Sequence, residues 1–112
     1  MSNATMEAQR FLNKFLPTVE NINPKLKCID FAFGGWATQK MIVPGDPTWE
    51  KMRTERLETA GLTPEQVQII WFKGVESYAV NTGLKSYAEY YKNMQIEAIS
   101  LMKQYFPNAK LI

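Results

Sequence analysis

Apolar positions along the chain follow two rhythms. In residues 4 to 19, "ATMEAQRFLNKFLPTV", Met6, Phe11, Leu12, Phe15 and Val19 fall near one helical face. Pro17 argues that this helix ends or kinks near Phe15. A second helix is expected in "DPTWEKMRTERLETAG". Asp46 or Thr48 is placed to cap it, Pro47 sits in its first turn, and Gly61 can terminate it. The third and longest, "LKSYAEYYKNMQIEAISLMKQYFP", repeats Leu84, Tyr87, Ala88, Tyr91, Met94, Ala98, Met102 and Tyr105 at helical steps until Pro107 stops it.

Between the helices the rhythm changes. "LKCIDFAF" (26–33) is apolar on both alternating faces apart from Lys27 and Asp30, and "VQIIWFKG" (67–74) is so over Ile69 to Phe72. Such runs read as strands buried between two layers. "KLI" (110–112) starts a third. Strands alternating with helices predict a single α/β domain over residues 1–112, a parallel sheet covered on both sides and joined by right-handed crossovers.

Composition narrows the chemistry. With 46% hydrophobic and 21% charged residues, the chain reads as an ordinary globular protein. A net charge of +2 with scattered lysines gives no reason to expect nucleic acid or an anionic membrane as partner. No apolar run approaches the roughly 20 residues of a membrane span. The polar N-terminus carries no signal peptide, so the chain as given is expected in the cytoplasm, although a longer parent could be secreted. The single cysteine, Cys28, lies in an apolar run and reads as a small core residue, and one cysteine cannot make an internal disulfide. There is no histidine, so a Ser-His-Asp triad cannot be assembled from this chain alone, and no metal or other cofactor is expected.

In an open α/β sheet, ligands bind beyond the carboxyl ends of the strands. Two such ends are candidates. One is Phe33-Gly34-Gly35-Trp36, where the glycines form a plain turn or let the backbone approach a ligand, and Trp36 either packs or lines a pocket. The other is Phe72-Lys73-Gly74, followed by Glu76. Lys73 either snorkels at a strand end or points its ammonium into the crevice. Asp30 either faces solvent or is buried with a partner. Trp49, Trp71 and the tyrosines Tyr87, Tyr90 and Tyr91 read as packing residues.

The stretches "IDFAFGGW", "RLETAGLTPEQVQIIWFKG" and "YFPNAKLI" resemble the middle of an SGNH, or GDSL-like, hydrolase. The match is closest to a divergent group with "AAGLTPAQVQVVWLK"-type sequence between two strands. The resemblance covers nearly the whole chain and implies a flavodoxin-like three-layer α/β/α fold and hydrolysis of lipid or carbohydrate esters. Carried over, it makes Ser2 the nucleophile and Gly34 or Gly35 an oxyanion donor, with Lys73 a substitute for the family's absent asparagine. Trp36, Gly74 and Glu76 would line the pocket around a small ester or carbohydrate ligand. Ser2-Asn3-Ala4 also matches a common tag-cleavage scar, which would remove Ser2 from the set. The resemblance further implies a core fragment lacking the family's first strand and its C-terminal Asp and His, hence inactive alone. The alternative is a small α/β binding or assembly module. A missing central strand leaves apolar strand edges open, so a homo-oligomer is expected.

Overall fold

The computed structural model describes residues 3–74 and 83–112. The chain divides into two compact units, Met1–Gly35 and Trp36–Ile112.

In the first unit, α1 (Asn3–Arg10) continues into a wider π turn, Phe11–Phe15, and a tight 3₁₀ turn, Leu16–Thr18. The change of winding precedes Pro17, which has no N–H to give and whose ring collides with an α-helical carbonyl one turn back. Phe11 and Phe15 meet across the π turn with ring centroids 5.6 Å apart and planes tilted by 32°. The Thr18 hydroxyl donates to the Phe15 carbonyl at 2.7 Å, and Val19 is already extended. The turn that follows is built by asparagines. Asn21 takes a left-handed φ of 59°, and the Asn23 side chain accepts the Lys25 N–H at 2.9 Å.

The second unit opens with a single helical turn, α2 (Thr38–Met41), whose Thr38 and Met41 are buried. The Pro44-Gly45-Asp46-Pro47 turn leads into α3 (Pro47–Lys51). Asp46 caps this helix, accepting the Thr48 N–H at 2.8 Å, and Pro47 fills the first helical position, where its missing N–H costs nothing. α3 widens over Met52–Leu57 and tightens over Glu58–Ala60. It ends in a Schellman motif: Gly61 stands at φ 69°, its N–H bonds Glu58, and the Leu62 N–H reaches back to Leu57. A capping box between Thr63 and Gln66 starts one more 3₁₀ turn, Pro64–Gln66. The long helix α4 (Leu84–Tyr105) closes the unit.

The core of the second unit sits between α2, α3 and α4. Met94, Ala98, Leu101 and Met102 follow the i, i+4, i+7, i+8 spacing of a helix face and are buried with Met41, Trp49, Met52, Leu57, Phe106 and Ala109. Trp49 is its aromatic centre. It stacks on Tyr105 at 4.5 Å with planes 9° apart, meets Trp36 edge-on at 4.9 Å, and lies 6.4 Å from the Phe106 ring. The N-terminal part of the stripe expected on α4 is not core: Leu84 is 87% exposed, Tyr90 is exposed, and Tyr87 and Tyr91 are half-buried.

The expected parallel-sheet, flavodoxin-like α/β fold is not what forms. The structure is mainly helical, and no strand or sheet occurs among the described residues. The β pairing described is one isolated parallel bridge between Ile69 and Leu111. "LKCIDFAF" fails as a strand for a local reason. The Asp30 carboxylate accepts the Ala32 N–H at 2.8 Å, a side-chain turn that removes a donor from any ladder. "VQIIWFKG" is extended and does run parallel to "KLI", but the contact ends after the bonds from Ile70 N–H to Leu111 O (2.9 Å) and from Lys110 N–H to Gln68 O (2.7 Å).

Candidate functional site

Gly34 and Gly35 belong to the first unit, Trp36, Lys73 and Gly74 to the second, and Ser2 and Glu76 lie outside the described residues. Gly35 stands at φ 73° with open space where a Cβ would be, so the turn requires it through its backbone angle. Gly34 is open as well and has no unusual φ. Trp36 is half-buried against Trp49 and packs. Lys73 is exposed.

Gly74 is different. A Cβ there would stand 2.5–2.7 Å from the Gln95 amide and the Phe72 ring, and its carbonyl accepts a hydrogen bond from the Tyr91 hydroxyl. The glycine lets the extended segment press against α4. The close backbone approach anticipated at Gly34-Gly35 is therefore found after the other apolar run, and its object is the protein's own helix.

Among the described residues no group of three or more Cys, Asp or Glu side chains could hold a metal ion. No helix there is long and apolar enough to cross a membrane. An open groove of about 620 Å³ lies between Glu65, Gln68, Lys103 and Asn108 to Lys110. Two of its polar side chains bond within the protein. The Asn108 side chain donates to the Glu65 carbonyl at 2.9 Å, and the Lys103 ammonium donates to the Ala109 carbonyl. The first fastens the residues just past α4 to the turn before the extended segment, and the second ties the end of α4 to those same residues.

Shifted carboxylates serve the helices. Partial burial pushes the Asp46 carboxyl up. Hydrogen bonds from Thr48, the Trp36 indole N–H nearby and the charge of Lys40 outweigh this and hold it below its ordinary range. The Trp36 N–H approaches without completing a hydrogen bond of ordinary geometry. Glu50 is lowered by its bond from the Arg53 guanidinium, which also pairs with Glu58 on the exposed face of α3. Glu65 is lowered by the Thr63 hydroxyl.

What the sequence reading missed is a surface. Along residues 69 to 72 exposure alternates: Ile69 is 64% and Trp71 70% exposed, while Ile70 and Phe72 are half-buried. The half-buried side reaches α4 at Gly74. The other side carries Ile69 and Trp71, and bridge partners share a face, so Leu111, 63% exposed, joins them. Trp71, expected in the core, stands in solvent. The signal was present in the apolarity of both faces, read there as burial between two layers. Compared with models of known families, with curated proteins and with solved structures, the chain finds no match.

Proposed function

We propose that this chain is an interaction module without catalytic chemistry of its own, which associates through the apolar face of residues 69 to 71 and Leu111. The observation that carries the reading is the exposure of Ile69, Trp71 and Leu111 side by side on one extended pair. Single exposed apolar side chains are common, but a contiguous cluster containing a tryptophan marks an interaction surface. Such a surface supplies binding energy without any convergent polar group. No arrangement among the described residues favours the hydrolase-fragment reading.

Binding of an environment-sensitive apolar dye to dilute protein tests this. Trp71→Ser should remove most of the dye response, whereas Leu84→Ser, at an 87% exposed but separate position, should leave it intact. Equal dye binding by Trp71→Ser and the parent protein would show that the face is not the adhesive surface.

A further inference from the structure

The apolar face belongs to a segment whose other edge has no partner among the described residues. Ile70 N–H and Gln68 O point toward Leu111 and Lys110. Backbone groups alternate along an extended chain, so the N–H and C=O groups of Ile69 and Trp71 point the opposite way. No hydrogen bond to them occurs among the described residues. Among the described residues, then, nothing covers the face or pairs the edge of these same residues, a condition that recruits another strand.

We infer that the occupant is the same segment of a second copy, paired antiparallel across a two-fold axis at Ile70. This rests on the interaction-module reading and names its partner. A two-fold axis beside an edge strand pairs that strand antiparallel with itself. With the axis at Ile70, Ile69 exchanges both main-chain bonds with Trp71 of the second copy, and Trp71 does so with its Ile69. Each of these is an aromatic on β-branched pair, the favoured kind of cross-strand neighbour. Lys73 falls opposite Val67, and the two lysines lie about 20 Å apart, well beyond the distance at which exposed charges repel appreciably. An axis shifted one residue toward the C-terminus sets Lys73 opposite Ile69 and Trp71 opposite itself, losing the complementary pairs. Across this edge only Ile69 and Trp71 meet their counterparts, side by side on one face, while Leu111 lies on the far side of the segment, so the apolar area buried is well below that of a standard interface. Main-chain pairing and a polar rim must supply the remainder, so the dimer is weak and depends on concentration.

The experiment uses the full chain with Cys28→Ser and Lys73→Cys, carrying a nitroxide at position 73, and reads the label–label distance by dipolar spectroscopy alongside light scattering. A dimer with a backbone separation of about 20 Å at this position supports the register. About 14 Å or about 27 Å would place the axis at a neighbouring residue and overturn it. Ile69→Pro deletes an N–H that bonds no described residue, so the unit still folds, as circular dichroism of α4 will show, but the edge is blocked. It should abolish the dipolar signal, while Ile69→Ala, which keeps the N–H, should weaken association by on the order of tenfold. Association that survives Ile69→Pro unchanged overturns edge pairing and leaves the apolar face as the contact. A chain that stays at 12.9 kDa at millimolar concentration overturns the second copy as partner, without touching the dye result.

Discussion

Trp49 and Tyr105 hold α3 to the end of α4, and a double-mutant cycle on this pair tests the packing of the second unit. Trp49 is 3% exposed, and its ring lies on the half-buried Tyr105 ring at 4.5 Å with planes 9° apart. Trp49→Leu removes the stack, the edge contact with Trp36 and part of the contact with Phe106. Losses of this kind from a core cost about 2–5 kcal/mol, a large fraction of the roughly 5–15 kcal/mol that stabilises a whole domain. Tyr105→Leu costs less. Its ring is half-buried, and its hydroxyl accepts only the exposed Gly45 N–H at 3.2 Å, which water can replace. The cycle isolates the ring–ring contribution, expected at about 0.5–1.5 kcal/mol for an aligned aromatic pair. Urea unfolding, followed by far-ultraviolet circular dichroism and by tryptophan fluorescence, gives the four free energies. Additivity within about 0.3 kcal/mol would refute the reasoning, because it is the behaviour of residues that do not touch.

Other expectations follow from the caps, the turns and the absence of histidine. Asp46→Ala should cost about 0.5–2 kcal/mol by removing the α3 cap, whereas Asp46→Asn keeps an acceptor and should cost less. The folded-state pKa of Asp46 is depressed, so its charge contributes stability above the unfolded value near 3.8, lost as pH falls through the lower folded value. Acid unfolding curves of the parent protein should show that loss below about pH 4, and those of Asp46→Asn should not. Gly35→Ala should destabilise by about 1 kcal/mol, because φ of 73° is strained for any residue with a Cβ, while Gly34→Ala should leave the melting temperature nearly unchanged. Equal melting shifts for the two would contradict the assigned turn. Short p-nitrophenyl esters should not be hydrolysed, since no histidine is available to activate a hydroxyl; turnover that disappears in Ser2→Ala would contradict this.

Much of the helical structure was legible because its signals are local. Asp46, Pro47 and Gly61 act through their own backbone, and each marks the boundary expected of it in α3. Pro107 lies just past the end of α4, and the Met94-Ala98-Met102 stripe is buried there. The strands were misread because apolarity reports a preference for burial and says nothing of what provides it. In "LKCIDFAF" a single carboxylate, Asp30, turns the backbone on itself. In "VQIIWFKG" α4 meets one side at Gly74, while Ile69 and Trp71 on the other remain in solvent. The candidate site depended on a sheet edge that would gather two strand ends, and no such sheet occurs among the described residues. The glycine with a packing role proved to be Gly74, whose neighbour in space, Gln95, is distant in sequence and invisible to local pattern.

The most direct measurement is amide hydrogen exchange at three consecutive residues, Ile69, Ile70 and Trp71, read by NMR at two protein concentrations. The Ile70 amide bonds Leu111 within the chain and should be protected at both. The amides of Ile69 and Trp71 face the open edge, so they should exchange freely in dilute solution and become protected together as concentration rises. Exchange at Ile69 and Trp71 that stays fast at high concentration, or is slow at every dilution, would contradict an edge completed by a second copy.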